Sequence, residues 1–320
     1  MDVLIKNVRI IDWSQDFIGD VYIRNGIISE IGIGLNKDCN IIIGEGLALL
    51  PSFIDLHVHF RDPGFTYKED LKSGSLAAVK GGYTMVNLMA NTKPVCSSMD
   101  TVNYVLEKTK KINLVDAHQT VSITKDFNGK DISHIAELGP EVKIISEDGK
   151  DVMDSSVMME AMLKAKEKGM IVMCHSENHE LSNVDMRLSE NTMTWRNIAL
   201  GEFTGCPVHI AHVSTKESME YVVSAKDKGS KVTCEVTPHH IALTSKTEYR
   251  VNPPIREQED VDYIIKCIKK GYVDAIATDH APHTKEDKLK GSPGLSGIET
   301  AFQVCYTSLV LSGHIDLCKL

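Results

Sequence analysis

Eight short apolar runs separated by helix-like segments constrain this chain more than any other feature of its sequence. Such runs are typical of parallel strands buried on both faces, and several of the intervening segments end in glycine, as helices commonly do. The alternation predicts an α/β fold with a parallel (β/α)8 barrel. An open doubly wound sheet is the alternative, but no GxGxxG motif follows the first run. The runs are SFIDLHVHF, GYTMVNLMANT, INLVDAHQTVS, EVKIISEDG, GMIVMCHSEN, CPVHIAHVST, KVTCEVTPHH and VDAIATDHAP.

Residues 1–50 have a different pattern from the rest of the chain. The stretches DVLIKNVRIID, GDVYIRNGIISEIG and CNIIIGEGLALLP are β-rich and separated by turn residues, which is typical of short strands. We therefore expect a small β-sheet domain over residues 1–50 and the barrel over residues 51–320.

Composition excludes several classes of protein. The 320 residues carry a net charge of −9 without a Lys/Arg-rich block, which argues against a nucleic-acid or anionic-membrane partner. Neither an apolar stretch of membrane-spanning length nor a signal-peptide pattern is present. The eight cysteines are scattered without a CxxC pair, so we expect free thiols in a reducing cytoplasm.

Polar side chains follow most of the predicted strands. In a parallel barrel the carboxyl ends of the strands meet at one rim, where active sites lie. A polar strand tip explains any one of these residues, whereas convergence from many strands favours a functional site. The residues are His57, His59, Arg61, Asn91, Asp148, His175, His212, Asp279 and His283.

The histidines are the strongest metal-ligand candidates in this set. His57 and His59 are two residues apart and therefore lie on the same side of a strand. His212 is nearer the end of its strand than His209, which we expect to support a neighbour. Asp279 follows the apolar run VDAIA, where a buried carboxylate is costly without a partner.

Four histidines with one or two carboxylates suit two divalent ions, most plausibly zinc. Paired ions of this kind activate water and polarise a carbonyl group, and Asp279 can transfer protons beside them. The reaction class predicted from these residues is metal-assisted hydrolysis of an amide or its reverse.

The chain also resembles the amidohydrolase superfamily, and within it the longer type of bacterial dihydroorotases. The resemblance extends from about residue 50 to residue 300 and implies a barrel with a small β-domain. Relatives continue with strands that complete that domain, so we expect it to be incomplete in this chain. The matching motifs are PSFIDLHVHFRDPG, MANTKPV, ISEDGKDVMD, HSEN, HIAHVSTKES, TPHH, VNPPIR and IATDHAPHTKEDK.

The resemblance implies a role for each matching position. It implies zinc as the cofactor, with Asp279 as the catalytic acid and base. The positions matching ligands of a first metal ion are His57, His59, Asp148 and Asp279, and those of a second are His175 and His212. The positions matching substrate-binding residues are Arg61, Asn91 and His283 for the carboxylate, and Asn252 for the pyrimidine ring.

One ligand position has an alternative. Many amidohydrolases use a carbamoylated lysine from the fourth strand, and Lys143 lies on that strand, five residues before Asp148. One strand cannot readily direct both side chains to one point. The SEDG motif favours Asp148.

The function implied by the resemblance is the reversible, zinc-dependent cyclisation of N-carbamoyl-L-aspartate to L-dihydroorotate in pyrimidine (UMP) synthesis. Arg61 agrees with this independently, because a guanidinium group pairs well with a planar carboxylate. The alternatives are a hydantoinase or allantoinase, and a non-catalytic scaffold for aspartate transcarbamoylase. A homodimer and an aspartate transcarbamoylase partner are left open.

Overall fold

The structure is a computed structural model that describes residues 2–320. It divides into two compact units, one of residues 2–52 with Leu309–Leu320, and one of Phe53–Ser308. The segment Leu309–Leu320, which the predicted division counts with the barrel, groups with the small unit. Among the described residues, none of the helices combines the length and apolarity needed to cross a membrane.

The small unit contains a five-stranded sheet of order β3-β2-β1-β4, with β5 also pairing with β1. Strand β1 is antiparallel to β2 and parallel to β4 and β5. Val8, Ile10 and Val21 form its core because alternate side chains point to the same face. The strands are β1 (Val3–Ile11), β2 (Asp16–Arg24), β3 (Ile27–Gly32), β4 (Asn40–Ile43) and β5 (Ala48–Leu49).

The second unit is a closed barrel of eight strands, each parallel to its neighbours. Two sheets, β6-β7-β8 and β9-β10-β11-β12-β13, are joined by parallel bridges between Val121 and Ile145 and between Val58 and His280. The prediction of a (β/α)8 barrel is therefore confirmed. The strands are β6 (Phe53–Val58), β7 (Tyr83–Leu88), β8 (Asp116–Gln119), β9 (Ile144–Ser146), β10 (Ile171–Cys174), β11 (Val208–Ile210), β12 (Val232–Val236) and β13 (Ala275–Ile276).

Helices connect the barrel strands and pack against them through their apolar faces. In α7, Val261, Ile264 and Ile268 are buried at helical spacing, and Gly271 ends the helix in a left-handed conformation. The α-helices are α1 (Leu71–Lys80), α2 (Met99–Ile112), α3 (Ser155–Glu167), α4 (Met186–Thr204), α5 (Lys216–Asp227), α6 (Pro238–Ala242), α7 (Gln258–Lys270), α8 (Lys285–Leu289) and α9 (Ala301–Cys305). Two 3-10 segments, Lys125–Phe127 and Ser133–Glu137, and a π-helical segment, Tyr306–Leu311, complete the helical structure.

The packing of α1 fixes the chain just beyond β6. Phe60 is fully buried in the core cluster that includes Val58 and Leu71. Gly74 of α1 lies against its ring so closely that a β-carbon there would be 2.5 Å from Phe60 Cγ. The helix can approach the strand only because position 74 lacks a side chain.

We expect Gly74→Ala to destabilise the protein. Alanine gains about 1 kcal/mol in helix propensity, but overpacking a filled core costs about 1–3 kcal/mol. The net loss is measured by the melting temperature and by urea unfolding. Lys72→Ala, on the exposed side of α1, is the control and changes stability by less than about 0.5 kcal/mol. An unchanged or raised melting temperature for Gly74→Ala contradicts this packing.

Candidate metal centre and substrate pocket

The structure brings the six predicted metal ligands together at the carboxyl rim of the barrel. All six are buried, with at most 7% of the residue exposed. Each lies near the end of a strand or in the first three residues after it. Because the strands are parallel, these ends lie at the same rim of the barrel. The six are His57 and His59 at the end of β6, Asp148 after β9, His175 after β10, His212 after β11 and Asp279 after β13.

The carboxylate of Asp148 lies among the four histidines. Its Oδ1 is 3.2 Å from His57 Nε2, 3.3 Å from His175 Nδ1 and 3.7 Å from His212 Nε2, and its Oδ2 is 3.4 Å from His59 Nε2. Because both oxygens face histidine nitrogens from different strands, this one carboxylate can serve two neighbouring ligand sets.

Two overlapping groups of donor atoms have the dimensions of a metal site. His57, His59 and Asp279 form one group, and His57, Asp148 and His212 form the other, with the donor atoms of each group within 4.8 Å of one another. Among the described residues, His57 Nε2 and Asp148 Oδ1 are buried without a hydrogen-bond partner. Buried polar atoms are rarely left without a partner, so these two atoms fit a role as metal ligands.

Strong electrostatic coupling accompanies this geometry. Burial alone would raise the pKa of Asp148, but His57, His175 and His212 hold it well below its usual range. Burial opposes protonation of His175, yet the nearby carboxylates of Asp148 and Glu177 raise its pKa to about 10.

Lys143, the alternative ligand, lies elsewhere. It is exposed at the start of β9, where its backbone N–H donates to His118 Nε2 at 2.9 Å. Asp148 follows the opposite end of the same strand and is buried among the histidines. Strand β9 thus separates the two residues along the barrel axis.

The predicted carboxylate-binding residues lie beside this cluster. Asn91 Oδ1 is 2.8 Å from His59 Nδ1. Arg61 donates from Nε to the carbonyl of Pro282 at 3.3 Å and places Nη2 3.3 Å from His283 Nε2. The loops after β6 and β13 therefore bring two cationic or polar groups together at one side of the pocket.

One open pocket joins the predicted metal-ligand and carboxylate-binding residues. Part of its wall is the segment Ser292, Pro293 and Gly294, which follows α8. Gly294 has φ +141 and lies so near His283 that a β-carbon would be 2.9 Å from Cδ2. The lining residues are His59, Arg61, Asn91, Asp148, Gly149, His175, His212, Asn252, Asp279, Ala281, His283, Ser292, Pro293 and Gly294.

Asn252 lines this pocket and is linked to the metal-ligand cluster by Glu177. Asn252 Nδ2 donates to Glu177 Oε2 at 2.8 Å, and the same oxygen is 2.9 Å from His175 Nε2. The carboxylate therefore leaves His175 Nδ1 facing Asp148. Sequence reasoning missed Glu177, although it lies two residues after His175 in the HSEN motif.

Three of these residues have unusual backbone conformations. Arg61, His212 and Asp279 have φ values of 57, 34 and 48, in the left-handed region that non-glycine residues avoid. Strain of this kind costs of order 1–3 kcal/mol per residue and is concentrated at functional sites. Here it turns each side chain from the end of its strand into the pocket.

Glu235 is a second residue that sequence reasoning missed. It is fully buried in β12, with Oε1 2.7 Å from His57 Nδ1 and Oε2 3.3 Å from His209 Nε2. His209 thus has the supporting position expected for it. Burial opposes ionisation of Glu235, but His57 and His209 lower its pKa to about 2. The signal in the sequence was one carboxylate inside the apolar run KVTCEVTP.

The barrel and its ligand-bearing rim define a class of protein, the metal-centred amide hydrolases of barrel fold. Among solved structures, an L-hydantoinase (dihydropyrimidinase) from Arthrobacter aurescens has a TM-score of 0.88 at 22% identity, covering 100% of this chain and 79% of that one. A D-hydantoinase has a TM-score of 0.86 at 21% identity, with the same coverage. At these identities the likeness supports the fold alone.

Sequence comparison identifies the family. A family model described as dihydro-orotase-like matches residues 46–187. A dihydroorotase of Clostridium botulinum (strain Eklund 17B / Type B) is 54% identical over 324 residues, which cover 100% of this chain and 81% of the relative. A dihydroorotase of Acetivibrio thermocellus is 37% identical, covering 99% of this chain and 82% of the relative. The chain belongs to the dihydroorotase family.

We expect Glu235→Gln to weaken metal binding without removing a ligand. A carboxylate that orients a ligating histidine typically contributes 10–100-fold to metal affinity, so a loss of about that size is expected. Competition titration of zinc against a chromophoric chelator measures it. Glu220→Gln, at an exposed position of α5, is the control. Equal affinities for the two variants would show that Glu235 does not orient His57.

Proposed function

We propose that this dihydroorotase interconverts N-carbamoyl-L-aspartate and L-dihydroorotate with two zinc ions, and that the site residues act as follows. The observation that carries the proposal is one pocket in which Arg61, Asn91 and His283 adjoin a buried cluster of four histidines and two aspartates. A carboxylate-binding side next to a hydrolytic side fits a small cyclic amide that bears a carboxylate.

Two ions fit the donor set because the carboxylate of Asp148 faces all four histidines, with Oδ2 toward His59 and Oδ1 toward the other three. His57, His59 and Asp279 would hold one ion, and His175 and His212 the other, with Asp148 between them. Histidine nitrogen with carboxylate oxygen is a donor set that zinc favours. When bound, the ions would polarise the substrate carbonyl and lower the pKa of water.

Asp279 is the residue that we assign to proton transfer. Its Oδ1 is 3.1 Å from His59 Nε2 and 3.7 Å from His57 Nε2. Burial alone would raise its pKa, but these histidines hold it well below its usual range, so it is ionised and able to accept a proton. In ring opening, Asp279 takes a proton from the attacking water and gives it to the amide nitrogen as the C–N bond breaks. Cyclisation is the reverse.

The substrate carboxylate would be held by Arg61, Asn91 and His283. The Arg61 side chain is half-buried, and its desolvation lowers the pKa of the guanidinium; an anionic partner stabilises such a cation. Asn252, which also lines the pocket, would contact the ring. These contacts fix which carbonyl carbon faces the metal ligands.

Two other functions are weaker candidates. The hydantoinases share the fold, but a hydantoin ring has no carboxylate to pair with Arg61. A non-catalytic scaffold has no need of six buried ligands, and all six are present here.

The proposal includes a cellular setting. All eight cysteines are unpaired in the described structure, which fits a reducing cytoplasm. A homodimer and an aspartate transcarbamoylase partner are the associations that we would test first.

We expect Asp148→Ala to lose bound zinc, because it removes the carboxylate that faces all four histidines of the cluster. Metal analysis of the dialysed wild-type protein should give about two zinc ions per chain, the content that the proposed two-ion site requires. Lys143→Ala is the matched control and should retain the wild-type content. Loss of metal from Lys143→Ala but not from Asp148→Ala would assign the shared ligand to a carbamoylated lysine instead.

We expect the protein to turn over L-dihydroorotate, and Asp279→Asn to lower kcat by about 10²–10⁴-fold, as loss of a general acid–base group does. Ring opening is followed by the loss of dihydroorotate absorbance. Zinc content and the melting temperature of the variant separate lost proton transfer from lost metal.

Hydantoin and allantoin serve as the comparison substrates. Turnover of these two without turnover of dihydroorotate would replace the proposed substrate. Inactivity of the zinc-loaded protein on all three would support the scaffold.

A further inference from the structure

Lys68 contacts the substrate pocket but has no role in the reaction as described so far. It lies in the loop between β6 and α1, with Nζ 3.2 Å from His283 Nδ1 and 3.3 Å from Asp287 Oδ2. Its side chain is only 14% exposed, and Nζ lies over the rings of Phe65 and Tyr67. The ammonium group is therefore held at a fixed place behind His283.

Two hydrogen-bond donors face the ring of His283, whereas a neutral imidazole ring can accept only one hydrogen bond. Lys68 faces Nδ1, and Arg61 Nη2 faces Nε2 at 3.3 Å. Lysine and arginine only donate, and a neutral imidazole accepts through one nitrogen. Burial, together with the charges of Arg61 and Lys68, lowers the pKa of His283 to about 4, so the ring is neutral at pH 7. Only one of the two contacts is then a hydrogen bond.

The surroundings of Lys68 indicate which contact that is. Asp287 binds Lys68 and also accepts from the backbone N–H of Thr284, the residue after His283. The lysine and the histidine are thus anchored to the same short segment. Arg61, in contrast, is held by its Nε to Pro282, which leaves Nη2 available to another acceptor. Nδ1 therefore accepts from Lys68, and Nε2 carries the proton.

We propose that Lys68 is a positioning residue that determines specificity for an anionic substrate. By holding His283 in the Nε2–H tautomer, it makes His283 Nε2 and Arg61 Nη2 two neighbouring hydrogen-bond donors, 3.3 Å apart. A carboxylate oxygen beside them can accept from both. A neutral substrate gives these donors no acceptor of equal strength. This inference rests on the proposed function, because it takes the bound anion to be the carboxylate of dihydroorotate or carbamoyl-aspartate.

The tautomer is tested directly by ¹⁵N NMR of the zinc-loaded protein, with the His283 signals assigned by their loss in His283→Asn. We expect Nε2–H in the wild-type protein and a shift toward Nδ1–H in Lys68→Met. Nδ1–H in the wild-type protein overturns the proposal.

Kinetics test the consequence for specificity. We expect Lys68→Met to raise KM for dihydroorotate by about tenfold or more, the size of one charge-assisted hydrogen bond, with kcat within about threefold of wild type. Lys68→Arg keeps a cationic donor and should restore part of the loss. Lys285→Met, at an exposed position of α8, is the control and should leave KM unchanged.

A double variant separates this role from a structural one. In a His283→Asn background, Lys68→Met should change KM by less than about twofold, since contacting residues that act together are not additive. Fully additive losses overturn the proposal, because Lys68 would then act independently of His283.

Failure of the proposed function gives a different result from failure of this inference. If wild-type protein does not turn over dihydroorotate, the function is wrong, while the NMR measurement still decides the tautomer. If Lys68→Met does not fold, the wild-type tautomer and Lys68→Arg remain decisive.

Discussion

The rest of the site depends on a buried carboxylate, that of Asp148, surrounded by four histidines. A buried charge is very costly unless it is paired, and the pairing nitrogens come from three other strands of the barrel. His57 and His59 end β6, His175 follows β10 and His212 follows β11. The cluster can form only if these strand ends lie within a few ångströms of one another. Closure of the barrel meets that requirement.

The same closure builds the carboxylate-binding side of the pocket. The first and last barrel strands meet at the bridge between Val58 and His280, and the backbone N–H of His59 donates to the carbonyl of His280 at 2.8 Å. The two loops that follow are therefore neighbours, and Arg61 contacts His283 across 222 residues of sequence. The proposed carboxylate-binding side of the pocket and the closed barrel are therefore two results of one strand pairing.

The sequence predicted the eight strands and the convergence of their polar ends well, because apolar runs and strand termini are local features. Residues whose roles depend on a partner from another strand were harder to find. Glu235 and Glu177 are acidic residues that each contact a histidine of the cluster. Their role could not be predicted without knowing which histidine lies beside them. The choice between Asp148 and Lys143 as a ligand was hard for the same reason. Both lie within one short stretch of sequence, and only their neighbours from other strands distinguish them.

By itself, the sequence predicted the barrel, the polar residues that follow its strands and the arginine that suits a carboxylate, since each depends on periodicity, spacing or residue type. The tertiary structure alone decided which atoms face one another. It placed Asp148 between two groups of donors, and it set Lys68 and Arg61 on opposite nitrogens of His283. The physical reason is that hydrogen-bond direction and burial depend on distances between strands, which no local pattern encodes.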